Sequence, residues 1–113
     1  MIANEIKEKV KKENPGKKIF YGKISYQLYT GVYKEEEFLF REPLLVDAEM
    51  MQSVAAKNPL EAQNNLLHSL ILFPVAGDII GRLRPYPNAV TRFVDERINP
   101  FYGGNPKTEI QEL

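Results

Sequence analysis

Ile2, Ile6 and Val10 recur every fourth position with lysines and glutamates between them, the spacing of one helical stripe. Asn14-Pro15-Gly16 ends that segment, because proline lacks an amide hydrogen and glycine permits a turn. So short a stripe buries little, and this arm is expected to lean on a neighbour or to fray. From Ile19 the spacing changes to strand alternation. Phe20, Ile24, Tyr26 and Leu28 share one parity while Lys23, Ser25 and Gln27 take the other. Thr30-Gly31 offers a turn, and Glu36 to Arg41 makes a second strand with Phe38 and Phe40 on one face. Tyr33 to Glu37 fits strand or loop. The pattern predicts an antiparallel hairpin or a three-stranded meander, rich in the aromatics that suit a pleated, half-buried surface.

After Pro43 every segment reads as helix. Asp47 is a good N-cap for a helix carrying Met50, Met51 and Val54. Asn58-Pro59-Leu60-Glu61 supplies a cap, a proline at the first helical position and a glutamate at the third. The helix it opens is predicted to run to about Leu72, with Leu66, Leu67, Leu70 and Ile71 buried, until Pro74 stops it. A short helix follows from Asp78 to Leu83. The last, from about Pro87 to Ile98, places Val90, Phe93, Val94 and Ile98 on one face. The expected fold class is therefore α+β, an N-terminal hairpin or meander followed by a small bundle of three or four short helices. One domain spans residues 1–100, with a helical arm at 1–17, strands at 18–42 and helices at 46–98. Residues 101–113, FYGGNPKTEIQEL, have no apolar period and are expected to form a flexible tail.

Composition narrows the function classes. A chain of 113 residues with 43% hydrophobic residues forms one modest core. Fifteen basic and fifteen acidic residues cancel, so no overall field draws the chain to nucleic acid or a membrane surface. The absence of cysteine excludes a disulfide scaffold and any thiolate chemistry. The first residues lack the apolar run of a signal peptide, and the most apolar window, Leu66 to Ala76, is too short to cross a bilayer. The expected location is the cytoplasm.

Candidate chemistry is sparse. His68 is the only histidine, a poor start for a metal site, since zinc takes three or four protein ligands. It reads as a residue at the edge of the leucine stripe. Glu35-Glu36-Glu37 alternate across a strand, so at most two converge, and a solvated turn guarding an edge strand explains them better than a cation site. Gly77 and Gly81 in GDIIG lack the lysine-serine ending of a P-loop and the dinucleotide fingerprint. Lys7, Lys9, Lys11, Lys12, Lys17 and Lys18 form a locally basic arm near Phe20, Tyr21 and Tyr26, diluted by Glu5, Glu8 and Glu13. Arg82, Arg84, Arg92 and Arg97 lie among Asp78, Asp95 and Glu96, consistent with pairing along helices. No triad, carboxylate pair or activated nucleophile is legible. Neither an enzyme, a metal nor a cofactor is expected.

The stretch EFLFREPL, Glu37 to Leu44, ends an apolar strand on an arginine and a proline. Arg41 has the opposite parity to Phe38 and Phe40, so its stem lies along the sheet while its head reaches water, open carbonyls, Asp47 or Glu49. Pro43 then ends ladder pairing. An acid-capped helix follows from Asp47, then the leucine-rich helix to Pro74, then a proline start at Pro87-Asn88-Ala89. In their order and spacing, from about Lys18 to Ile98, these features resemble the tail assembly chaperones of long-tailed bacteriophages. Leu44-Leu45-Val46 departs from the polar helix start expected there.

The resemblance implies a non-enzymatic chaperone of a phage or prophage that keeps the tape measure protein soluble while tail-tube subunits assemble around it. It also implies a short and a frameshift-extended form, of which a chain ending at Leu113 corresponds to the short one. The tape measure protein is the expected partner, the tail-tube subunit a second, and the chain is expected to self-associate. The expected binding surfaces are the outward side of the aromatic strands, Tyr21, Tyr29 and Leu39 with Arg41 at the strand end, and the exposed edge of the last helix, Phe93 and Arg97. The rival function is nucleic-acid binding through the lysine arm from Lys7 to Lys18.

Overall fold

The computed structural model describes residues 2–102. Helix α1 (Asn4–Glu13) leads into strand β1 (Ile19–Gln27). Gly16, at a φ of 78°, makes the turn between them. Strand β2 (Tyr33–Arg41) pairs antiparallel with β1 in unbroken register from Ile19↔Arg41 to Gln27↔Tyr33. Tyr33 to Glu37 is therefore strand. The hairpin closes where Leu28 N–H donates to Val32 and Gly31 N–H to Leu28, both at 2.8 Å. Gly31 has a φ of 93°, which only glycine adopts without strain.

Helices α2 (Leu45–Ala55) and α3 (Pro59–Leu70) follow and pack against each other. Asn58 caps α3 by accepting from Glu61 N–H at 3.1 Å, with Pro59 in the first turn as its sequence predicts. The leucine-rich helix, however, does not reach Leu72. It ends at Leu70, and Ile71–Phe73 forms strand β3 along β2, with Phe40 opposite Ile71 and Leu39 opposite Phe73. The order is β1-β2-β3, a three-stranded antiparallel sheet among the described residues. The third strand thus arrives after two helices, and the expectation that everything beyond Pro43 is helical is corrected at these residues. Helix α4 (Ala76–Leu83) and helix α5 (Pro87–Phe93) complete the bundle. A π-helical turn (Val94–Ile98) and a 3-10 turn (Asn99–Tyr102) extend α5. The fold is α+β, with one helix before the strands and the rest after.

The sheet is covered on both faces. Phe38 and Phe40 point into the main core with Leu66, Leu67, Leu70, Ile79, Leu83, Phe93 and Ile98. Leu39 points the other way, into a small cluster with Ile2 and Val10 of the N-terminal arm, flanked by Ile6, Ile19, Leu72 and Phe73. The arm therefore leans on the back of the sheet, which its narrow stripe required. Apolar residues at three consecutive positions of β2 follow from this two-sided burial.

Gly22 allows the rings of β2 to close over β1. A β-carbon there would sit 2.7 Å from Cε2 of Phe38 and 3.1 Å from Cε1 of Phe40. Phe101 also joins this aromatic layer, edge-on to Phe20 with centroids 4.9 Å apart. Phe101 and Tyr102, the first residues of the expected tail, are half-buried against the core. The remainder of that expectation, residues 103–113, lies outside the described residues.

Candidate functional site

The step from β2 to α2 is built on one ion pair. Arg41 Nη1 donates to Asp47 Oδ2 and Nη2 to Oδ1, each at 2.8 Å, and Nη1 also reaches the Glu42 carbonyl at 3.2 Å. Asp47 accepts a further bond from Leu44 N–H at 2.8 Å. It therefore sits at the third position of α2, three residues past the observed N-cap Leu44, and is not itself the N-cap that its sequence predicts. Leu44 occupies the cap with no side-chain acceptor to offer, and the carboxylate three residues on satisfies the open amide instead. The bonds from Arg41, and then that from Leu44, hold the Asp47 carboxyl below its ordinary value. The bonds to Asp47 hold the Arg41 guanidinium above its own. Of the surroundings expected for the arginine head (water, open carbonyls, Asp47 or Glu49), it meets Asp47 and the Glu42 carbonyl, and, largely enclosed there, Arg41 is a structural anchor.

A second network ties the sheet to α4. Glu36 is buried, contrary to its reading as part of a solvated turn. It accepts from Arg82 Nε at 2.7 Å and from the Tyr26 hydroxyl at 3.1 Å. Burial, together with the bond to Glu36, raises the Tyr26 phenol above its ordinary value. Arg82 consequently pairs across the fold rather than along its helix, whereas Arg92 does pair along the chain with Glu96, at 3.0 Å. Both networks are satisfied within the fold and brace it, with Asp47 also lining a hollow between α2 and α3.

Of the residues expected to bind a partner, Leu39 and Phe93 are interior. Leu39 is 2% exposed beneath the N-terminal arm, and Phe93 stacks edge-on against Phe38 and Phe40. Tyr29 is almost fully exposed at the hairpin tip, and Arg97 is exposed on the π-helical turn. Tyr21 is half-exposed beneath Lys7, whose ammonium lies 5.8 Å from the ring. Its hydroxyl donates to Glu37 at 2.6 Å, and that bond pushes the phenol up to about 12. Tyr21, Phe93 and Arg97 line one hollow beside β1, whereas Tyr29, Leu39 and Arg41 lie outside it. His68 is exposed on α3. Among the described residues no three His, Cys, Asp or Glu side chains approach closely enough to hold a metal ion, and no helix is long and apolar enough to cross a membrane.

The largest run of exposed apolar side chains lies elsewhere. Leu44, Leu45, Val46 and Met50 are all more than half exposed on the first turns of α2, at 53%, 71%, 53% and 62%. The opposite side of the same helix sends Met51 towards the core. Helix α2 is therefore apolar on two faces, which a helix buried on one side does not need. Hollows flank it. One lies between α2 and α3 and is lined by Met50, Met51, Val54 and Leu66. The other is lined by Leu45, Ala48, Phe101 and Tyr102. The signal was present in the sequence as Leu44-Leu45-Val46, a departure from the expected polar helix start.

No family model matches the chain, and no curated protein matches it. Its fold is similar to that of an uncharacterised protein from Bacillus stearothermophilus, with a TM-score of 0.66 and 18% identity over 93% of this chain and 99% of that one. At that identity the likeness is one of fold alone.

Proposed function

We propose that this chain is a non-enzymatic, partner-binding protein, a phage or prophage tail assembly chaperone that holds the tape measure protein in solution through the outer face of α2. The observation that carries this is the exposed cluster Leu44, Leu45, Val46 and Met50 beside the groove between α2 and α3. An amphipathic helix docks in such a groove by inserting apolar side chains at helical spacing, and methionines adapt to the several segments a long helical client presents. The choice of client rests on the order of sequence features from Lys18 to Ile98 that resembles those chaperones.

Co-expression with a tape measure protein of a long-tailed phage, followed by co-purification across a salt series, tests the reading. An apolar interface survives high salt, whereas a lysine-arm contact with nucleic acid weakens steeply as counterions compete. The complex is expected to persist in high salt, to be lost in a Leu45→Asp, Met50→Asp variant that melts like the parent, and to survive Lys9, Lys11 and Lys12→Gln. DNA binding abolished by the three glutamines, with no co-purifying protein, would overturn it in favour of nucleic-acid recognition.

A further inference from the structure

Strand β1 pairs only with β2, and its other edge meets no strand among the described residues. Two bonds just outside the ladder establish which backbone groups face that edge. Glu42 N–H donates to Lys18 at 2.9 Å, and Leu28 N–H donates to Val32 at 2.8 Å. Lys18 and Leu28 are thus at hydrogen-bonded positions of the antiparallel ladder, and strict alternation extends this to the even-numbered residues between them. The N–H and C=O groups of Tyr21, Lys23 and Ser25 consequently point outward. Among the described residues no backbone bond from another element reaches them.

A groove follows this open edge from Phe20 to Gln27, on the order of 25 Å of extended chain. Its far wall is α5 and the π-helical turn, which present Ala89, Arg92, Glu96 and Arg97. One end has an aromatic floor of Phe20, Phe93 and Phe101. The charges are unequal. Arg92 is paired with Glu96 at 3.0 Å and Lys23 with Glu35 at 3.6 Å, but exposed Arg97 has no acidic partner among the described residues. Unpaired strand edge, helical wall and one uncompensated guanidinium together make a site for strand addition.

We propose that this groove captures an extended segment of another protein, which adds to β1 as a fourth strand and places a carboxylate on Arg97. A second copy of this chain does not fit. From Asn14 to Lys34 the sequence has no acidic residue, so an opposing β1 brings Lys17, Lys18 and Lys23 towards Arg97. The planar guanidinium instead suits a carboxylate bidentately. This surface is separate from α2 and stands whether or not the client there is a tape measure protein.

The test uses the full chain, isotope-labelled, and an array of hexapeptides in which valine and threonine alternate and one glutamate occupies each position in turn. A matched array carries lysine instead. The best glutamate peptide is expected to slow amide exchange at Tyr21, Lys23 and Ser25 by about tenfold or more. Its lysine counterpart is expected to bind at least about tenfold more weakly, and Arg97→Glu to reverse that preference. Lys23→Pro removes an outward N–H while sparing the ladder to β2, so it should weaken binding without shifting the thermal midpoint. If that variant melts early, the charge reversal at Arg97 decides. Equal binding of both arrays, no edge-amide response to any glutamate peptide at millimolar concentration, or a response mapping to α2 would overturn the proposal. So would concentration-dependent protection of these amides without peptide, which would assign the edge to self-pairing.

Discussion

Replacing Asp47 with alanine removes three bonds at once: both guanidinium contacts from Arg41 and the one from Leu44 N–H, each 2.8 Å long. The Arg41 side chain would then keep its charge where only 16% of it is exposed. Breaking a buried pair by deleting one partner costs about 3–5 kcal/mol, since the survivor is left uncompensated. Residual exposure of Arg41 places the loss near the lower end, about 3 kcal/mol, against the few tenths typical of surface pairs. For a domain of this size that lowers the thermal midpoint by roughly 10–20 °C. Urea unfolding of the full chain at neutral pH measures it.

The pH dependence has a determined sign. Because the folded-state value of Asp47 is depressed, its contribution is complete above the unfolded carboxylate value of about 3.9 and is lost as pH falls through the folded value. The gap between parent and Asp47→Ala should therefore shrink only in that acidic window. An Arg41→Met, Asp47→Leu double variant, which leaves no buried charge, should recover most of the loss. A cost below about 1 kcal/mol for Asp47→Ala, or a double variant as unstable as the single, would show that the pair is screened by solvent and does not anchor α2.

Gly22→Ala should destabilise by about 1–3 kcal/mol, the usual range for overpacking, because its β-carbon meets the fully buried Phe38 ring; an unchanged denaturation midpoint would mean that the aromatic layer shifts freely. Leu67→Ala, at 1% exposure, should cost about 2–5 kcal/mol, while His68→Ala on the exposed side of α3 should stay within about 0.5. The same chemical unfolding assay orders the two, and a larger loss at His68 would contradict the packing of α3.

Local periodicity carried most of the fold. The alternation from Phe20 to Leu28, the Asn58-Pro59 start and the stripe of Val90, Phe93, Val94 and Ile98 are all where their spacing places them. Features set by distant partners were hidden. Leu70 to Phe73 is one apolar run, and a continuous run does not separate a buried helix from a buried strand. Only pairing with the second edge of β2, at Leu39 and Phe40, decides that Ile71–Phe73 extends there. Glu36 reads as a surface residue because Arg82 lies 46 positions away. Leu39 reads as outward because parity names two faces without saying that the N-terminal arm covers the second. The strand sequence Phe38-Leu39-Phe40 did hold that information, since apolar residues on both parities imply cover on both sides.

The same distinction explains why the two candidate surfaces differ in kind. Helix α2 is displayed by the Arg41–Asp47 pair, which fixes where the helix begins and so turns Leu44, Leu45 and Val46 outward at its first turn. Its exposure is a property of side chains, and charge introduced at Leu45 or Met50 can abolish it without touching the sheet. The β1 edge is a property of backbone, created because β3 joins β2 on the far side and leaves β1 outermost. Side-chain truncation there removes little, whereas loss of one outward N–H removes a ladder bond. A client engaging both would meet apolar anchors on one element and main-chain bonds on another, two contributions that add when the sites do not share residues.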